Sequence, residues 1–196
     1  MMTPRHSLSA DEPTLAAGDV LARKYRLLEP LGEGNMATVW VALNIALETR
    51  VAVKILRAGL SGDPRLVARF RQEAKATAAI AHKNVVQVYD YGITNSGAPF
   101  IIMELLEGET LAERLRRRGH LPPAEAVRTL LRAMKGVTVA HSKGVVHRDL
   151  KPDNIFLARE DNGTEQGSYS FSVKIISTAA HRTTRTLLLL PRSTQT

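Results

Sequence analysis

No cysteine occurs in the 196 residues, which removes disulfides, thiolate metal sites and cysteine nucleophiles from consideration. The first 20 residues lack an apolar stretch flanked by basic residues, so they do not read as a secretory signal. The longest pure leucine run, residues 187–190, is far too short to cross a bilayer. No internal repeat is visible. No Asp or Glu occurs from Ser177 onward. What is present is a 44% hydrophobic fraction, enough for a core, and a net charge of +8. That charge suits nucleic acid, an acidic partner or a phosphorylated ligand, and selects none of them. The expectation is a soluble cytosolic protein that neither enters a membrane nor binds nucleic acid. Arg65, Arg69, Arg71, Arg114 and Arg116 to Arg118 are spread along helices, as solvated faces are.

Residues 1–24 mix Pro, Ser, Asp and Gly without period and read as a leader. From Tyr25 the pattern changes. YRLLEPLGEG reads as a strand ending in a Gly turn, ATVWVALN as its hairpin partner and TRVAVKIL as a third strand. Asp63 is a helix N-cap candidate, with Pro64 suited to the first helical position. Leu66, Phe70, Ala74 and Thr77 then share one helical face, with Val67 and Ala78 beside them. VVQVYDYG and PFIIMEL read as strands four and five. TLAERLRRRG predicts a short helix. A longer one follows, with Val127, Leu130, Leu131, Met134, Val137 and His141 near one stripe. Short strands are expected around Val145, at Ile155 to Leu157 and at Val173 to Ile176. The fold class is α+β: a five-stranded sheet with one helix over 25–103, then a mainly helical part over 104–176.

Three features carry chemistry. LGEGNMATV lies between two strands, and Gly32 and Gly34 let backbone amides come close to a phosphate. An ordinary hairpin loop fits this stretch equally well. A dinucleotide fold needs a helix straight after the turn, and a Walker-type loop needs Gly-Lys-Ser/Thr; neither is found. Lys54 sits inside an apolar strand, which is costly unless its charge meets a partner or snorkels to water. Glu73 on the following helix is the obvious partner. HRDLKPDN, His147 to Asn154, is the most specific stretch. It puts a carboxylate, Asp149, near a cation, Lys151, with a neutral oxygen ligand, Asn154, further on. Phosphoryl transfer needs these types: an acceptor for the hydroxyl proton, positive charge on the moving group and an oxygen for Mg²⁺. A polar turn capped by Asp149 is the plainer alternative.

From about Tyr25 to Ile176 the chain resembles the catalytic domain of a protein kinase, of the bacterial serine/threonine type. Gly32-Glu33-Gly34-Asn35-Met36-Ala37-Thr38-Val39 is similar to the family's glycine-rich loop, with Ala37 in place of the third glycine. Val51-Ala52-Val53-Lys54 is similar to the third-strand lysine motif, and Glu73 stands where the helix glutamate would. The resemblance implies a two-lobed fold and ATP against Leu31, the loop residues 32–39, Ala52, Lys54, Met103, Glu104 and Leu106. Met103 would be the gatekeeper, and the backbone of Glu104 and Leu106 would bond adenine. Asp149 would be the catalytic base, Lys54, Glu73 and Lys151 would act with it, and Asn154 would hold Mg²⁺. Lys151 is associated with serine/threonine rather than tyrosine kinases. The implied activity is phosphoryl transfer from ATP to Ser or Thr of a protein substrate.

In the family, a strand like VKII leads into Asp-Phe-Gly; here Ser177, Thr178 and Ala179 follow. The abrupt change in composition favours a shifted reading frame after Ile176, with 177–196 as a tail foreign to the family. A short pseudokinase or scaffold with its own tail is the other explanation. Either way, Asn154 alone makes a poor Mg²⁺ site, and the expected transfer is weak or absent. The stripe on the long helix is expected to stay largely exposed.

Overall fold

A computed structural model describes residues 15–160 and 170–176. Runs of β-branched and apolar residues build a meander of β2 (Tyr25–Glu33), β3 (Ala37–Asn44) and β4 (Thr49–Leu56). After α1 (Ala58–Ser61) and α2 (Pro64–Ala78) come β5 (Val88–Ile93) and β6 (Pro99–Met103). With β1 (Val20–Leu21) they form an antiparallel sheet in the order β1-β2-β3-β4-β6-β5.

The two faces of this sheet carry different cores, as the period of two requires. One face holds Leu27, Ala42, Val53, Ile55, Phe100 and Ile102, with Trp40 packed against them. The other holds Ala37, Leu56 and Ile101 and is covered by Phe70 and Ala74 of α2. Asp63 caps α2 by accepting from the Arg65 N–H at 2.8 Å, and Pro64 opens the helix. The Tyr25 hydroxyl donates to Asp90 at 3.0 Å, joining two strands that are not neighbours in the sheet.

The sheet has one strand more than the five expected. Residues 20 and 21 fall in what reads as a leader, yet Leu21 is buried and pairs with Tyr25. The turn between them uses Ala22 and Arg23 at φ of 48° and 57°. Neither residue signals a turn, so the strand is hidden from pattern reading. Val85 and Val86, expected in the fourth strand, also go elsewhere, as described below.

The second part has β7 (Gly108–Thr110), α3 (Leu111–Arg118), α4 (Pro123–Ser142), a 3₁₀ turn (Pro152–Asn154), β8 (Ile155–Glu160) and β9 (Ser170–Ile175). Strands β7, β8 and β9 form a second antiparallel sheet in that order. A capping box starts α3: Thr110 accepts from the Glu113 N–H, and Glu113 accepts from the Thr110 N–H. Leu111, Ala133, Ile155, Leu157 and Val173 make the core here.

Helix α4 buries a face that shares only Val137 with the expected stripe. Thr129, Ala133, Gly136 and Val137 point inward, while Val127, Leu130, Leu131 and Met134 are exposed. Small residues win because α4 lies close to its neighbours: a Cβ on Gly136 would stand 2.7 Å from the Asn84 carbonyl oxygen. The expectation that the large stripe stays exposed holds. No strand forms around Val145; its N–H closes the end of α4 on the Ala140 carbonyl instead.

Candidate active site

Lys54 lies in mid-strand on β4, opposite Val39 of β3 and Ile101 of β6. It is 3% exposed. Helix α2 brings Glu73 to it, and the ammonium donates to Oε1 at 2.6 Å. Burial lowers the Lys54 pKa, and Glu73 partly opposes that by favouring the charged form. The Phe70 ring, 5.5 Å away, covers the ammonium as well. The sequence-level cost of a buried lysine is met by the partner expected for it. Ala52 and Met103 are register partners on the same face as Lys54, with Val39 alongside.

The glycine-rich hairpin is closed by the Gly34 N–H donating to the Ala37 carbonyl at 2.8 Å. The Met36 carbonyl accepts from Arg57 at 3.0 Å. Among the described residues, the N–H groups of Asn35 and Met36 donate to no backbone carbonyl outside the sheet. Ala37 is buried in extended backbone, and its φ is not positive, so the third glycine's freedom is not needed there. Leu31, Gly32, Thr38 and Val39 are half-buried along the hairpin, and Glu33 is exposed.

Between the two sheets runs the segment from Glu104 to Glu107. The Glu104 N–H donates to the Gln87 carbonyl at 2.9 Å, and the Gln87 N–H returns a 2.6 Å bond to Glu104 Oε1. The Glu104 N–H is thus engaged within the chain. Leu106 is half-buried on this segment. Lys174 of β9 bonds both oxygens of the Glu104 carboxylate at 2.8 Å, a contact that sequence reasoning missed. The signal was there: a lysine inside an apolar strand, the same anomaly that singled out Lys54.

Asp149, Lys151 and Asn154 form the second cluster. Lys151 Nζ lies 3.0 Å from Asp149 Oδ2, both partly exposed. The Lys151 bond holds the Asp149 carboxyl below its usual range, and desolvation opposes this without reversing it. Asn154 is fully buried and donates from Nδ2 to the Asp149 carbonyl at 2.6 Å. Arg148 takes a left-handed φ of 63° just before Asp149. The His147 Nε2 lies 3.1 Å from the Ile176 carbonyl, and the Ile176 N–H donates to the Asn154 carbonyl at 3.0 Å. The end of β9 thus grips this loop at two points. No hydrogen bond or ion pair among the described residues joins Lys54 or Glu73 directly to Asp149, Lys151 or Asn154.

Asn154 Oδ1 is buried and accepts no hydrogen bond, which suits an oxygen waiting for a ligand. It is nevertheless a single neutral donor. No group of three or more His, Cys, Asp or Glu suited to a metal occurs among the described residues. These residues therefore do not make a Mg²⁺ site by themselves. Residues 177–179 lie outside the described residues.

A fold with a curled antiparallel sheet, one covering helix and a loop of this type is that of a protein kinase. Residues 25–178 match the protein kinase domain, and the chain belongs to that family. It is of the bacterial serine/threonine type. It is 40% identical over 141 residues to the serine/threonine-protein kinase PknB of Mycobacterium leprae, covering 70% of this chain and 23% of that protein. It is 38% identical over 144 residues to PknA of Mycobacterium tuberculosis, covering 71% and 33%. The fold is similar to the crystal structure of a double mutant of the Mycobacterium tuberculosis PknI kinase domain, with a TM-score of 0.69 at 23% identity over 84% of this chain and 61% of that one. The chain thus spans a quarter to a third of the length of these curated relatives. The family generally uses ATP and Mg²⁺. Among the described residues, no helix is long and apolar enough to cross a membrane.

Proposed function

We propose that the chain binds ATP in the cytosol and belongs to a machinery that moves its terminal phosphoryl group to a Ser or Thr hydroxyl of a protein. The observation that carries this reading is the buried Lys54–Glu73 pair at 2.6 Å. A desolvated ammonium fixed by one carboxylate is an expensive feature whose use is to meet a polyanion. The N–H groups of Asn35 and Met36 would add donors to the phosphates in the loop over 32–39. Leu31, Val39, Ala52, Met103 and Leu106 would line the base, with the Glu104 carbonyl and the Leu106 N–H bonding its edge.

In the transfer, the substrate oxygen bonds to the γ-phosphorus as the bond to the β–γ bridging oxygen breaks and ADP leaves. Asp149, ionised at neutral pH, takes the hydroxyl proton. Lys151 places positive charge beside it, and Asn154 holds the loop through Asp149. A metal brought by ATP would find one buried neutral oxygen here, Asn154 Oδ1.

A second reading, a non-catalytic nucleotide-binding scaffold, is favoured by Ser177, Thr178 and Ala179 standing where an acidic ligand would be expected. A mant-ATP titration with and without Mg²⁺, followed by phosphoryl transfer to a basic protein, separates the two. Metal-dependent binding with measurable, though weak, turnover supports transfer, and binding without metal dependence and without turnover supports the scaffold. Absence of nucleotide binding at millimolar ATP would end both readings.

A further inference from the structure

We propose that Lys174 is a positioning residue: through the Glu104 carboxylate it sets the carbonyl that discriminates adenine from guanine. The inference rests on the nucleotide-binding reading above. Lys174 faces Phe156 of β8 in register, between the buried Val173 and Ile175. Its ammonium reaches Glu104, 70 residues earlier, and makes two bonds of 2.8 Å to the two carboxylate oxygens. Both side chains are about five-sixths buried, at 16% and 17% exposed. A solvated ion pair contributes little, but this one is largely shielded and shares its carboxylate with the Gln87 N–H at 2.6 Å.

Glu104 is consequently held from two directions. Gln87, just ahead of β5, takes its N–H and one carboxylate oxygen. Lys174 takes both oxygens from β9. Two separate segments thus hold Glu104 by its N–H and its carboxylate, and turning its backbone requires several of these bonds to break together. The 6-amino group of adenine donates a hydrogen bond to a carbonyl, whereas the 6-oxo group of guanine meets it with repulsion. The orientation of the Glu104 carbonyl therefore sets base preference, and Lys174 acts on the base without touching it. Ile176, the residue just past this strand, bonds His147 and Asn154. Lys174 so links the base end of the cleft to the loop that carries Asp149.

The test is mant-ATP binding to the full chain, with ATP and GTP as competitors, for wild type, Lys174→Met, Lys174→Arg and Glu104→Gln. Lys174→Met should weaken ATP about tenfold, the equivalent of one net hydrogen bond, and lower the ATP-over-GTP preference by a similar factor. Lys174→Arg, which keeps the charge, should restore the preference. Glu104→Gln keeps an oxygen for Gln87 and should lose preference as Lys174→Met does, and it serves where Lys174→Met melts below the assay temperature. Equal weakening of ATP and GTP would mean a purely structural role and overturn the proposal. So would an unchanged preference. A wild-type chain that binds no nucleotide would instead overturn the reading on which the proposal rests, a result distinct from a binding wild type with indifferent variants.

Discussion

Replacing Glu73 by alanine should cost the fold much more than replacing Lys54 by methionine, although both break the same 2.6 Å ion pair. The two ends are buried unequally. The Lys54 side chain is 4% exposed and that of Glu73 16%. In Lys54→Met an unbranched apolar side chain fills the lysine's space beside Phe70, and the carboxylate can turn toward water. Stability should stay within about 1 kcal/mol of wild type or rise. In Glu73→Ala the ammonium is left buried with no carboxylate. That costs about 3–5 kcal/mol, or roughly 6–20 °C in Tm for a chain of this length.

The loss has a ceiling, because the lysine can give up its proton. From its ordinary pKa of 10.5 down to pH 7 that costs about 4.8 kcal/mol, at roughly 1.36 kcal/mol per pH unit. A folded state with neutral Lys54 binds fewer protons than the unfolded chain anywhere below 10.5. Stability of Glu73→Ala relative to wild type must then rise with pH, by up to about 2.7 kcal/mol between pH 7 and pH 9. Urea unfolding followed by the fluorescence of Trp40, the single tryptophan, measures this. Equal losses in the two variants would refute the reasoning. A Glu73→Ala deficit that is the same at both pH values would refute the proton account.

Asp149→Asn should retain mant-ATP binding and reduce whatever phosphoryl transfer the chain supports by about 10²–10⁴-fold, read by radiolabelled transfer to a basic protein. Burial alone would raise the Glu109 pKa, but hydrogen bonds from Arg117 and Arg114 outweigh it and lower it below 4.5. Its contribution to stability is then complete above pH 4.5 and lost as pH falls through the lowered folded value, which thermal melts from pH 6 to 3 should show, with a shallower fall in Arg117→Ala. Gly136→Ala should destabilise by about 1–3 kcal/mol in denaturant titration, although alanine is intrinsically the better helix former, because its Cβ would stand 2.7 Å from the Asn84 oxygen.

The legible parts of the fold are those where local chemistry has one solution. β2, β3 and β4 follow from β-branched and apolar runs set off by a Gly turn, and α2 follows from Asp63, Pro64 and one apolar face. The Lys54–Glu73 pair could be read because a charge inside an apolar strand demands a partner, and α2 offers one 19 residues on. Illegible parts depend on long-range shape. The strand β1 needs a left-handed turn built from Ala22 and Arg23, whose residue types do not announce it. The inward face of α4 is chosen by how close the Asn84 carbonyl comes, so Gly136 and Ala133 displace the larger apolar stripe. The Glu104–Lys174 pair joins positions 70 apart, and only the misplaced lysine hints at it.

The segment from Asn84 to Gln87 shows why the fourth expected strand starts later than its apolar pattern suggests. Val85 and Val86 read as the start of β5, yet the Val86 N–H donates to the Ile175 carbonyl and the Ile175 N–H to the Asn84 carbonyl. Asn84 adds a 2.6 Å bond from Nδ2 to the Val173 carbonyl, and Gln87 holds Glu104. Asn84, Val86 and Gln87, next to the first sheet, thus bond β9 of the second sheet and the connection between them. The strand they clamp ends on His147 and Asn154. The placement of Asp149 therefore rests on backbone pairing to β9 as much as on its own loop, and a chain that keeps this pairing can keep the loop in place whatever follows Ile176.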